Sequence, residues 1–153
     1  MKKVLGLLAG MLLALAVLYF MLAKVQVATS PSGVPGSRAW PVPVEATERK
    51  NPVLATPESV RLGAMLYQSH CFLCHGEAGR GDGPWVEKLP VPPGDLADAR
   101  LMRAMSDEEL FWKISQGRGE MPRFENQLNE EQRWHLVNYV RTLSQRASAA
   151  PSD

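Results

Sequence analysis

Cysteine and histidine are scarce in this chain, two and three among 153 residues. Both cysteines stand in one run, Cys71-Phe72-Leu73-Cys74-His75, so none is left to carry a lipid. The other two histidines, His70 and His135, supply no second Cys-x-x-Cys or His-x-x-x-His arm. A structural zinc site normally draws four ligands from such arms. No βαβ pattern surrounds the pair, which removes the setting of a thioredoxin-like dithiol. A disulfide closed within the run is the remaining structural use of the two sulfurs. Net charge is also small, +1 over the whole chain. Six of the seventeen basic residues precede position 55, namely Lys2, Lys3, Lys24, Arg38, Arg49 and Lys50. Between Glu58 and Arg146, thirteen acids stand against eleven Lys and Arg, a balance near −2. That excludes a nucleic-acid surface. The chain has no internal repeats.

One long hydrophobic run is present. Val4 to Ala23 contains no charged residue. At ~1.5 Å per residue a helix of this length spans the roughly 30 Å hydrocarbon core of a bilayer. Lys2 and Lys3 precede it, which favours an N-terminus kept in the cytoplasm. A cleaved signal peptide is the alternative, but its apolar core is usually shorter and ends at a small-x-small site. Gln26-Val27-Ala28 offers no such site. Residues 1–24 therefore read as a transmembrane anchor, with the rest exported. Residues 25–55 change composition, with Pro31, Pro35, Pro41, Pro43 and Pro52 among Ser, Gly and scattered charge. They read as a semi-rigid linker. Trp40 within it is either an exposed linker residue or a contact for a partner subunit. Residues 56–146 form the one folded domain, and 147–153 a disordered tail.

The five-residue run carries the chemistry. Cys-x-x-Cys-His reads as a c-type haem attachment site. Two thiols add to the two vinyl groups of one haem, and the adjacent His75 is the proximal ligand of its iron. A histidine alone leaves the sixth position open to small ligands; a His/Met pair closes it and raises the reduction potential. Met121-Pro122 is the candidate for the second ligand. It follows the glycine-containing loop Gly117-Arg118-Gly119-Glu120, and proline after methionine stiffens an irregular strap. A lone loop methionine can also simply fill a core gap. Met102 and Met105 are rivals in a segment of helical character. Arg80-Gly81-Asp82 sits in a glycine loop just past the motif and reads as a chance string.

Cys71-Phe-Leu-Cys74-His75, then Gly76, Gly79, Gly81-Asp82-Gly83-Pro84 and Met121-Pro122 together resemble a class I c-type cytochrome of the monohaem bacterial type. Gly63-Ala-Met-Leu-Tyr67 resembles the glycine and aromatic element of that family's first helix, and Leu136-Val-Asn-Tyr139-Val140 its last, crossing helix. The likeness covers about residues 55 to 146. It implies an all-α cytochrome c fold around one covalent haem c, with Cys71, Cys74, His75 and Met121 as cofactor-binding residues and His75 and Met121 on the iron. It places the acceptor for the second His75 nitrogen at the backbone carbonyl of Pro84. Trp85, Arg100 and Arg103 are weaker candidates for contacts near the propionates. The chain departs from small soluble members in its apolar N-terminus and long linker.

Helix signals agree with that outline. Thr56-Pro57-Glu58 supplies a capping hydroxyl, a proline at the first turn and an acid at the positive dipole end. This helix should run to about His70, with Val60, Gly63, Ala64 and Tyr67 on one face. Ser106 and Glu109 make a Ser-x-x-Glu box for a helix carrying Leu110, Phe111 and Ile114 and ending near Gly117. Asn129 with Gln132 begins another, whose stripe of Leu136, Tyr139, Val140 and Leu143 should cross the Gly63 face. Irregular backbone without a sheet is expected between Gly76 and Ala99. His70 and His135 read as surface or half-buried residues. The function expected is one-electron transfer by an anchored carrier in the bacterial inner membrane, its haem domain in the periplasm. It would dock with, or belong to, a membrane respiratory complex, and would take no small-molecule substrate. The alternative is a haem enzyme or gas sensor with an open or labile sixth site.

Overall fold

The computed structural model describes residues 40–149. The expected anchor at 1–24 and the first part of the linker lie outside the described residues. Five helices form the domain: α1 (Pro57–His70), α2 (Phe72–His75), α3 (Ala99–Arg103), α4 (Asp107–Gln116) and α5 (Glu130–Ala149). Short 3₁₀ turns occur at Val44–Thr47, Val86–Lys88 and Phe124–Asn126. Among the described residues there is no strand, only an isolated antiparallel bridge between Arg118 and Met121.

The helices start where local chemistry dictates. Thr56 Oγ1 accepts from the Ser59 amide at 3.1 Å, with Pro57 in the first turn. The Ser106 amide donates to Glu109 Oε2 at 2.7 Å, and the Glu109 amide donates to Ser106 Oγ at 3.2 Å, so the box is reciprocal. Asn129 and Gln132 make the same exchange ahead of α5, both bonds at 2.9 Å. Each box satisfies amides that no helical carbonyl can reach. Asp98 caps the five-residue α3, accepting from the Arg100 amide at 2.7 Å. The periodicity of the sequence gave no sign of that short helix beyond the helical character around Met102. Met105 lies outside it, in the following bend. Helix α5 continues to Ala149, past the expected domain end at 146.

Helices α1 and α5 cross as expected, and Gly63 is the reason they can. A Cβ at Gly63 would stand 2.0 Å from the His135 carbonyl oxygen and 2.7 Å from Tyr139 Cβ. Tyr67 and Tyr139 pack beside the crossing with ring centroids 5.1 Å apart. The core gathers Met102, Leu110, Phe111, Phe124, Leu128 and Trp134 together with the Leu136, Val140 and Leu143 stripe. Phe111 and Trp134 stack at 4.0 Å. Arg141 ties α5 to the α3–α4 junction by donating to Asp107 Oδ1 at 2.6 Å, to the Met105 carbonyl at 2.6 Å and to the Met102 carbonyl.

Residues 40–55 do not stand clear of the domain. Asn51 Nδ2 donates to Asn138 Oδ1 at 2.9 Å, and Asn138 Nδ2 returns to the Val53 carbonyl at 3.1 Å and to Ser59 Oγ at 2.8 Å. Arg49 pairs with Glu130 at 3.0 Å and Lys50 with Glu108 at 3.4 Å. Trp40 meets Trp112 of α4 edge-on, centroids 6.3 Å apart. This half of the expected linker is a strap laid on α4 and α5.

Candidate functional site

The site begins where α1 ends. The Cys71 amide donates to the Tyr67 carbonyl at 2.8 Å, capping α1, and Cys71 then serves as the residue before α2. The single turn of α2 carries Cys74 and ends on His75, so the two sulfurs and the imidazole are fixed on one short helix. Beyond it the chain folds back on the motif. The Gly81 amide donates to the His75 carbonyl at 2.9 Å, that of Gly83 to Cys74 at 3.2 Å and that of Trp85 to Leu73 at 2.8 Å. Buried Tyr67 donates its hydroxyl to the Gly76 carbonyl at 2.7 Å, locking α1 to the turn after the histidine. Burial pushes the Tyr67 phenol up, so it stays a neutral donor.

Both thiols are free. Burial, and to a lesser degree the neighbouring Cys74, pushes the Cys71 thiol up to about 12. Reactive dithiols are favoured by the opposite shift. Among the described residues no group of three or more His, Cys, Asp and Glu is assembled that could hold a metal ion. Burial pushes the His75 ring down, favouring the neutral imidazole that binds metals, and the Gly94 backbone opposes this more weakly. His75 Nδ1 is buried without a hydrogen-bond partner.

The methionines sort by what their sulfurs do. Met65 Sδ accepts from Arg61 at 3.3 Å and Met105 Sδ from Lys113 Nζ at 3.1 Å. Met102 is 1% exposed within the core. Met121 is half-buried against the same core cluster that receives Cys71 and Phe72. The structure thus brings Cys71 and Met121 to one cluster. Pro84 is exposed in the turn after Gly83, and the backbone group acting on the His75 ring belongs to Gly94. Trp85 is 49% exposed with Lys88 over its ring, and Arg100 and Arg103 are exposed on α3. His135 accepts or donates at Ser59 Oγ, 2.8 Å away, and His70 lies edge-on to Phe124.

The family profile described as cytochrome C oxidase, cbb3-type, subunit III matches residues 58–140. The chain belongs to that family. It is a cytochrome c domain, built for electron transfer, and it carries covalently bound haem c with its iron. The residues fit such a group: two unpaired thiols share a helical turn with an imidazole whose buried nitrogen is unsatisfied. Among solved structures, a chain of the reducing HAO-like protein complex of Kuenenia stuttgartiensis is 27% identical with a TM-score of 0.54. That match covers 60% of this chain and 46% of the other, so the cytochrome spans about half the length of that relative. The c-type cytochrome KustC0563 is 34% identical over 53% of this chain and 95% of its own, with a TM-score of 0.47. No curated protein matches the chain.

Proposed function

We propose that the chain is a one-electron carrier whose haem is held by Cys71 and Cys74 and ligated by His75 and Met121. The haem supplies the ferric–ferrous couple. The protein holds that couple in one geometry and keeps water from it. The observation that carries the reading is the buried, unpartnered His75 Nδ1 on the helical turn of the two free thiols, with Met121 and Cys71 packed against one core cluster. His75 binds through one nitrogen, and its other N–H needs an acceptor to fix the ring. The Gly94 carbonyl suits that role better than Pro84, because the Gly94 backbone already acts on the ring. With both axial positions filled by protein, the ligand set changes little between oxidation states, and the potential follows axial identity and burial.

The carrier is a tethered subunit or partner of a membrane respiratory complex. Its family is named for an oxidase subunit, and a 27% identical relative sits in a multi-protein complex. The anchor is Val4 to Ala23, read from sequence, with the haem domain in the periplasm of a bacterial inner membrane; resistance to alkaline carbonate extraction checks it. Replacement of Met121 tests the ligand set. Met121→Ala should open the iron, lower the potential and allow rapid carbon monoxide binding to the ferrous form. An unchanged potential and ferric spectrum would show that another residue is the ligand. Rapid carbon monoxide binding by the unaltered protein would favour an open-site sensor or enzyme instead.

A further inference from the structure

Trp40 stands eighteen positions ahead of the segment that defines the family, which starts at residue 58. It is nevertheless half-buried, beside the end of α4 and the loop that carries Met121. Its ring takes the edge of Trp112 at 6.3 Å, and two cations flank it: Lys113 Nζ and Arg118 Cζ, each 5.7 Å from the ring centroid. Lys113 closes the last turn of α4, where its carbonyl accepts the Gly117 amide at 2.9 Å. Arg118 is paired with Met121 by two backbone bonds, each amide donating to the other's carbonyl at 3.0 Å. Gly117 makes the turn between them at φ +61°, and any Cβ there would strike the Met121 and Pro122 carbonyl oxygens at 2.4 Å. One indole therefore bears on both ends of the hinge from which Met121 is presented.

We propose that Trp40 is a positioning residue for Met121: by bearing on Lys113 and Arg118, it holds the 117–121 loop closed and sets how often the sulfur leaves the iron. This rests on the His75/Met121 ligation proposed above. The strap has independent attachments at Arg49, Lys50 and Asn51, so Trp40 is presented to the loop by a segment anchored elsewhere. Loop opening is a local event with its own free energy, separate from global unfolding. Trp112 and Lys113 hold the indole on α4, while its contact with Arg118 belongs to the 117–121 loop and is lost when that loop opens.

The test uses the full haem-loaded chain in detergent. An external ligand such as imidazole or cyanide binds the ferric form only after the methionine has left, so its saturating rate reads the opening. Trp40→Ala should raise that rate about two- to fivefold, the scale of one lost cation–π contact. Trp40→Phe should restore most of it, since the ring face remains. Amide exchange at Arg118 and Met121 should quicken in Trp40→Ala, a readout that does not pass through the iron. Arg49→Gln removes one surface ion pair while the Lys50 and Asn51 attachments and the Trp40 contacts stay, and should leave the rate unchanged. An imidazole rate and amide exchange equal to wild type in Trp40→Ala, with or without a fall in thermal stability, would overturn the proposal. If Met121→Ala keeps the wild-type ferric spectrum, the ligand assignment itself fails, and the exchange data alone then judge whether Trp40 closes the loop.

Discussion

At the scale of single residues, Gly63 and Tyr67 show how one face of α1 serves both the fold and the haem motif. Gly63 admits the backbone of α5, and one turn later Tyr67 reaches past the crossing to hold the Gly76 carbonyl behind His75. Two opposed effects meet at Gly63. Helix propensity alone would make Gly63→Ala stabilising by about 1 kcal/mol. The added methyl would sit 2.0 Å from a backbone oxygen, which cannot move aside without separating the helices. Overpacking of that kind costs about 1–3 kcal/mol or more, so the clash wins. Gly63→Ala should lower stability in denaturant unfolding of the haem-loaded protein; a gain would mean that the crossing is looser than this. The role of the glycine was readable only through the resemblance, which implies that another helix backbone approaches there. The hydroxyl bond of Tyr67 was not, since nothing local ties position 67 to a carbonyl nine residues on.

Elements were readable to the extent that their signals are local. Helices α1, α4 and α5 announce their starts by side chains that bond amides three residues on, and the structure has those bonds. The capping box at α4 should therefore behave as a unit. Ser106→Ala should cost about 1 kcal/mol. Adding Glu109→Ala should cost less than the sum of the two singles, because each side chain completes the other's bond. Strict additivity in the double-mutant cycle would show that the two bonds act separately. Helix α3 escaped because five residues complete little more than one turn and leave no periodicity to count. The 40–55 strap escaped for the opposite reason. Its proline-rich composition is that of a linker, while its partners Trp112, Glu130 and Asn138 lie some seventy to ninety positions away in the chain. Composition describes a segment's own preferences, and these were overridden by long-range contacts.

For the whole molecule, the two thiols and the histidine were legible as one motif because haem attachment imposes a fixed local spacing, whereas Met121 was read from its loop and the resemblance. The acceptor for the histidine, read at Pro84, came from the resemblance alone, because the wrapping loop from Gly76 to Asp98 has no period to register one. That loop bears on stability. Between Gly76 and Asp98 the described backbone holds only one short 3₁₀ turn, and its bonds run to the motif itself at His75, Cys74 and Leu73. A domain of about 90 residues buries too small a fraction of its surface to be secure alone. The covalent group is apolar mass that the native state has and the unfolded chain cannot exploit, so its loss removes stability in the manner of a tight ligand. The chain produced without haem attachment, or with Cys71→Ala and Cys74→Ala together, should lose cooperative thermal unfolding. Protection from proteolysis should go first between residues 76 and 98, since those backbone bonds end on the motif, whereas the α1–α5 crossing rests on Gly63 and its own packing. Retention of a sharp transition at the wild-type temperature would mean that the helices alone carry the fold.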